Sequence, residues 1–308
     1  MTTGTTETGT TGTEGYADVG GGITICYETF GDPGDPTLLL VMGLGAQMLS
    51  WEEDFCAELA GHGYHVVRYD NRDVGLSTFI PGPVNVFEII QQLGAGQSPT
   101  APYLLTDMAR DAIGLLDHLG VDRAHVVGAS LGGMIAQTIA IEHPARVATL
   151  TSIMSTTGNM EVGQPAPEAL SVLLQPPPQT REEMALRRVA SAEVFGSPGL
   201  WDAADLRRKA ERDCDRKHDP EGVARQLAAI LASGSREDHL VNIDIPTLVI
   251  HGTVDTLVTP TGGQRTAELI PGSTLLMIDG MGHDLPRALW PQVVGAITTH
   301  TGSTHTAR

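Results

Sequence analysis

Apolar side chains concentrate in short runs along this chain: Leu38-Leu39-Leu40-Val41-Met42, His65-Val66-Val67-Arg68-Tyr69, Ala124-His125-Val126-Val127, Val147 to Ile153, Thr247-Leu248-Val249-Ile250 and Thr274 to Ile278. Such short apolar runs suit strands covered on both faces. Between them lie amphipathic stretches. Leu105, Met108, Ala109, Ala112, Leu115, Leu116 and Leu119 recur three and four apart, the helical period, and Gly120 supplies a stop. An antiparallel pair at Ala17 to Val19 and Ile23 to Phe30 opens the series. Strand alternating with helix predicts the α/β class: a mainly parallel, eight-stranded sheet with helices on both faces.

One interval departs from the repeat. About ninety residues separate the run ending at Ile153 from the one starting at Thr247, whereas a parallel crossover needs a dozen or so. This interval holds helical stretches at Pro167 to Leu174, Arg181 to Phe195, Asp202 to Lys217 and Gly222 to Leu231. They are divided by Pro176-Pro177-Pro178 and Gly196-Ser197-Pro198-Gly199. The expected organisation is a disordered Thr/Gly-rich tail over 1–15, a core over 16–156 and 244–300, a helical cap over 157–243, and a C-terminal tail over 301–308. The first tail has too few apolar side chains to offset the entropy of ordering.

Composition narrows the class. With 37 acidic against 19 basic residues the formal charge is −18, which argues against nucleic acid or an anionic membrane surface as partner. No stretch approaches the roughly 20 apolar residues of a membrane span, and the first residues carry neither the basic start nor the apolar core of a secretory signal. Three scattered cysteines, Cys26, Cys56 and Cys214, offer neither a disulfide framework nor a CxxC site. The expectation is a cytoplasmic protein acting on a small molecule, its oligomeric state left open. No HExxH or His/Cys cluster marks a metal site, and Gly43-Leu44-Gly45-Ala46-Gln47-Met48 lacks the third glycine of a dinucleotide fingerprint, so no cofactor is expected.

The chemistry concentrates at Val126-Val127-Gly128-Ala129-Ser130-Leu131-Gly132-Gly133-Met134, where a predicted strand runs through Gly-x-Ser-x-Gly into a predicted helix. Such a turn exposes the serine hydroxyl, and small residues at Gly128 and Gly132 let strand and helix pass closely. A serine hydroxyl is a poor nucleophile, so a carboxylate and then a histidine are expected downstream. Asp255 follows the Thr247 run, and His283 follows the Thr274 run in Asp279-Gly280-Met281-Gly282-His283. Asp244, Asp279 and Asp284 compete with Asp255 for the acid's place, and His143 and His251 read as structural. An acyl-transfer intermediate needs two backbone donors for its oxyanion. The N–H of Leu131 is one; the other lies in Gly43-Leu44-Gly45-Ala46, with Leu44 preferred to Gly43.

These motifs, with Gly-Met-Gly-His-Asp-Leu-Pro and Tyr69-Asp70-Asn71-Arg72-Asp73-Val74-Gly75-Leu76-Ser77, resemble the α/β-hydrolases, especially the bacterial carboxylesterases that include aclacinomycin methylesterase. The resemblance spans about residues 16–300. It implies a Ser/Asp/His esterase with a helical cap, no metal or organic cofactor, and a structural role for the Asp70 to Ser77 loop. The segment Phe79 to Tyr103 is longer than in that methylesterase. A serine carboxylesterase for lipophilic short-chain acyl or methyl esters is the leading expectation. The same triad also serves cofactor-free haloperoxidases or perhydrolases, carbon–carbon bond hydrolases and slow-turnover small-molecule receptors.

Overall fold

The structure, a computed structural model, describes residues 12–302. Strands β1 (Thr13–Asp18) and β2 (Thr24–Phe30) form an antiparallel hairpin, and β3 (Thr37–Val41) leads through α1 (Glu53–Gly61) to β4 (His65–Tyr69). Helices α2 (Val86–Gly94) and α3 (Leu105–His118) precede β5 (Ala124–Ala129), α4 (Leu131–Glu142) and β6 (Val147–Ile153). The insertion carries α5 (Pro167–Leu173), α6 (Arg181–Phe195), α7 (Ala203–Arg216), α8 (Gly222–Ser233) and α9 (Glu237–Leu240). The sheet resumes with β7 (Thr247–Gly252), α10 (Thr261–Leu269) and β8 (Thr274–Ile278), and α11 (Trp290–Gly302) follows. All eight strands form one sheet in the order β1-β2-β4-β3-β5-β6-β7-β8. It is antiparallel from β1 to β4 and parallel from β4 to β8.

Alternate residues of each central strand enter different cores, which is why their sequences are apolar throughout. In β3, Leu39 and Val41 join Met108, Leu115 and Ile135 of α3 and α4 on one face. Leu38 and Leu40 join Phe55 and Leu59 of α1 and Val293 and Ile297 of α11 on the other.

Two boundaries differ from expectation. Pairing of β1 begins with Thr13 opposite Thr29, so residues 13–15, expected in a disordered tail, are strand; residues 1–11 lie outside the described residues. Likewise α11 runs through Thr301 and Gly302, and the rest of the expected C-terminal tail, 303–308, lies outside them. An edge strand is held by backbone pairing more than by apolar side chains, so composition alone underestimates it.

The insertion is not uniform. Helix α9 packs on α4 and α10 of the core, whereas α6 packs on α7, and α2, from the long segment after β4, packs on α8. Helix α8 also contributes Ala229 to the core cluster around α3. The Asp70 to Ser77 loop ties these parts together by buried ion pairs. Arg72 makes a bidentate pair with Asp111 at 2.6 and 2.7 Å and stacks on Tyr103, Arg225 of α8 binds Asp73 at 2.9 Å, and Arg216 of α7 binds Asp70 at 2.6 Å. Removing one partner of such a pair strands a buried charge, so the loop braces the insertion against the sheet.

Candidate active site

Parallel strands bring their carboxyl ends to one edge, and loops leaving that edge are where open α/β sheets place ligands. Ser130 follows β5, Asp255 follows β7 and His283 follows β8. Ser130 links β5 to α4 at φ 57°, ψ −119°, a conformation that side chains other than glycine rarely adopt. Its backbone is held on both sides: its N–H donates to Ile153 O at 2.9 Å, while its carbonyl accepts from Gly133 N at 2.9 Å and from Ser155 Oγ at 2.8 Å.

The flanking glycines have steric reasons. A Cβ on Gly128 would lie 2.0 Å from the Gly132 carbonyl oxygen, and one on Gly132 would lie 2.0 Å from that of Val41. Both obstacles are backbone. Gly132→Ala is therefore expected to be destabilising by about 1–3 kcal/mol or more, measured as a lowered midpoint in chemical denaturation. An unchanged midpoint would mean that this approach is looser than described.

The three expected side chains meet. The Ser130 hydroxyl lies 2.9 Å from His283 Nε2, and His283 Nδ1 lies 2.8 Å from Asp255 Oδ2. An ionised carboxylate can only accept, so Nδ1 carries the imidazole proton and Nε2 offers its lone pair to the hydroxyl. Burial alone would raise the Asp255 carboxyl. The opposing influence of His283 and His251 outweighs it and lowers the carboxyl to about 2. Its Oδ1 accepts from the N–H groups of Leu257 and Val258 at 2.9 Å each. Asp255 is fully buried and Ser130 is only partly so. Among the described residues, neither the Leu44 nor the Leu131 backbone N–H donates to a protein acceptor. The Gly43 turn lies against the serine: a Cβ on Gly43 would sit 3.1 Å from Ser130 Cβ.

Asp244, Asp279 and Asp284 stand outside this chain of hydrogen bonds. Asp279 accepts from Thr253 Oγ1 at 3.1 Å, and both oxygens of Asp284 face Ser197. Several supporting groups escape a reading of the sequence. His251 in β7, four residues before Asp255, donates from Nε2 to Val258 O at 2.7 Å and lies 3.5 Å from Asp255 Oδ2. From the insertion, Phe195 O accepts from the His283 backbone N–H at 2.6 Å, and Ser197 Oγ accepts from Gly282 N at 2.9 Å. Gln226 of α8 accepts from the Gly45 N–H at 2.8 Å. The spacing of His251 to Asp255 is a signal a reader could have weighed; the loop contacts of Phe195 and Ser197 have none.

Two clefts lie away from these groups. One of about 310 Å³ is lined by Pro83, Asn85, Ile89 and Pro102, and one of about 340 Å³ by Arg123, Ile141, His239 and Asn242. Among the described residues no group of three His, Cys, Asp or Glu side chains is arranged to hold a metal ion, and no helix is long and apolar enough to cross a membrane.

Comparison with known proteins gives consistent matches. The chain is 30% identical over 301 residues to rhodomycin D methylesterase DnrP of Streptomyces peucetius, covering 91% of this chain and 95% of that protein. It is 27% identical over 260 residues to 3-oxoadipate enol-lactonase 2 of Acinetobacter baylyi, covering 83% and 85%. The esterase RhEst1 from Rhodococcus sp. ECU1013 superposes with a TM-score of 0.71 at 22% identity, covering 94% of this chain and 99% of that one, a likeness of fold. Residues 36–197 match the sequence family described as the alpha/beta hydrolase fold, and with the eight-stranded, mostly parallel sheet this establishes that the chain belongs to the α/β-hydrolase family.

Proposed function

We propose that this protein is a serine carboxylesterase that cleaves lipophilic, small-to-medium carboxylic esters through an acyl-enzyme. As a member of its family with a methylesterase relative across most of its length, the chain is a carboxylic ester hydrolase. The observation that carries the serine mechanism is the unbroken line Ser130, His283, Asp255 at 2.9 and 2.8 Å. Ser130 Oγ attacks the ester carbonyl as His283 Nε2 takes its proton, and Asp255 steadies the imidazolium. The backbone N–H groups of Leu131 and Leu44 receive the oxyanion. As the tetrahedral intermediate collapses, His283 returns the proton to the departing alcohol. Water, activated by the same imidazole, then releases the acid and frees Ser130.

The insertion acts as the cap over this edge of the sheet, with α5 to α8 as its helices. Its partly buried apolar side chains include Phe195, whose ring meets the His283 ring edge-on at 6.2 Å. A surface of that kind favours an apolar acyl or alcohol group over a peptide or phosphate. Short-chain acyl esters and methyl esters of bulky polycyclic acids are the two classes put forward, the second favoured by the likeness to a methylesterase.

Rates on p-nitrophenyl esters from acetate to palmitate, beside an aromatic methyl ester and a peptide amide, test the class. kcat/KM is expected to rise with acyl length, by up to about 0.8 kcal/mol of transition-state binding per buried methylene, until the pocket is full. Faster cleavage of the amide than of every ester would overturn the assignment.

A further inference from the structure

We propose that Gln226, in helix α8 of the insertion, is a positioning residue that fixes the turn carrying the oxyanion donor of Leu44. This rests on the serine-esterase reading above. The Gly43 to Ala46 segment is a tight turn: Ala46 N–H donates to Gly43 O at 3.3 Å, and Gly45, its third residue, has φ +65°. A positive φ there, with Leu44 in the ordinary negative range, is the signature of a type II turn. Types I and II differ by a half-rotation of the middle peptide, here the unit joining Leu44 to Gly45. In the type II form its N–H meets Gln226 Oε1 at 2.8 Å. In the type I form the Leu44 carbonyl would point at that oxygen instead, and two acceptors would face each other across a partly buried contact. Gln226 therefore selects one form of the turn.

Its own orientation is set from the other end. Gln226 Nε2 donates to the Arg72 carbonyl at 2.8 Å, so the amide cannot flip without losing both bonds, and the side chain is fully buried. Helix α8 is itself seated against the core. Gly222 packs so closely on Asp73 that a Cβ would come within 2.1 Å of its carbonyl oxygen, Arg225 binds the Asp73 carboxylate, and Val223 Cγ2 would be 2.7 Å from a Cβ on Gly45. The Gly43 end of the turn meets Ser130. Gln226 thus extends from the insertion to the turn whose Gly43 end meets the nucleophile, and its hydrogen bonds go to Gly45 and Arg72, not to Ser130, His283 or Asp255.

The test compares wild type with Gln226→Leu and, from the opposite side of the same contact, Gly45→Ala. Kinetics are measured on p-nitrophenyl butyrate, and binding on an aryl trifluoromethyl ketone, which adds to a serine hydroxyl and places an oxyanion where the intermediate would. Gln226→Leu is expected to lower kcat on the order of 10- to 100-fold, less than the loss of a whole donor, with KM changed less than threefold. The ketone should weaken by the same factor as kcat. Gly45→Ala should do likewise, and the double variant should lose less than the product of the two, because both act through one turn. Should Gln226→Leu fail to fold, the kcat and ketone measurements on Gly45→Ala carry the test. A folded Gln226→Leu with wild-type kcat and ketone affinity, a loss confined to KM, or fully multiplicative effects would overturn the proposal. If wild type itself bound the ketone no more tightly than the ester, the esterase reading would fail instead, and the two failures are distinct.

Discussion

Ser130→Ala is expected to abolish ester turnover, lowering kcat by on the order of 10⁶-fold while the protein remains folded. The substitution removes one partly exposed oxygen whose hydrogen-bond partner is His283 Nε2. The strained backbone at Ser130 is held by bonds to Ile153, Gly133 and Ser155 that do not involve the side chain being changed. Folding stability should therefore move little. A fluorophosphonate, which phosphonylates an activated serine, should label the wild type at Ser130 and leave the variant unlabelled, read by mass after proteolysis. The double variant Ser130→Ala/His283→Ala should be no slower than Ser130→Ala alone, because the imidazole has no proton to take once the hydroxyl is gone. Labelling of Ser130→Ala at the wild-type rate would place the nucleophile elsewhere.

What could be read in the sequence follows from where each constraint is local. The run Leu38 to Val41 is visible because its alternate residues enter two different cores. Gly128 and Gly132 are visible because backbone atoms two to three ångströms away leave room for nothing larger, and the serine between them is marked by its neighbours. The order Ser130, Asp255, His283 is visible because each follows a strand ending on the same edge of a parallel sheet. The start of β1 is hidden because Thr13, Glu14 and Tyr16 are exposed on an edge strand, and Gly15 there leaves space for the Tyr27 ring. Gln226 has only a faint signal, a polar side chain in the apolar stretch Val223 to Leu231. A buried polar group is informative, but its partners, Gly45 and Arg72, lie more than 150 positions away and are fixed only by the tertiary fold. Phe195 ends α6 and Ser197 sits in the Gly/Pro-rich linker after it, which reads as an ordinary loop, and their contact with the His283 loop depends on how the insertion folds back.

That fold-back changes how the insertion is to be understood. It meets the Asp255 and His283 loops as well as the Gly45 turn: Thr256 Oγ1 donates to Val194 O at 2.9 Å, and Ala166 N–H donates to Thr256 O at 2.8 Å. Ser197 meanwhile joins Gly282 and Asp284 on either side of His283. An insertion fastened at so many points to these loops acts as part of their scaffold. Substitutions at these contacts should act on kcat more than on substrate affinity, since they disturb how the groups are aimed.

Asp255→Asn is expected to fold and to lower kcat by on the order of 10⁴-fold. The loss follows from hydrogen-bond polarity. Asp255 Oδ1 accepts from two backbone N–H groups and Oδ2 accepts from His283 Nδ1, so a carboxylate satisfies every donor around it. An amide offers one acceptor. If its oxygen keeps Leu257 and Val258, its NH₂ faces Nδ1, drives the imidazole proton to Nε2 and turns a donor toward the Ser130 hydroxyl. If it flips, the NH₂ meets two backbone donors instead. Either arrangement costs the general base. The acid also has a signature in stability. Its carboxyl is lowered from 3.8 to about 2, so its contribution is fully present above the unfolded value and is lost as pH falls through the folded one. Such a shift corresponds to about 2 kcal/mol. The stability difference between wild type and Asp255→Asn, from urea denaturation, should therefore be constant from pH 7 to 5 and shrink by about that amount between pH 4 and pH 2. Within that window the wild-type acid stays ionised down to about pH 2, so loss of activity well above that value does not come from protonation of Asp255. Wild-type kcat in Asp255→Asn, joined to a 10⁴-fold loss in Asp279→Asn or Asp284→Asn, would transfer the role to the other carboxylate.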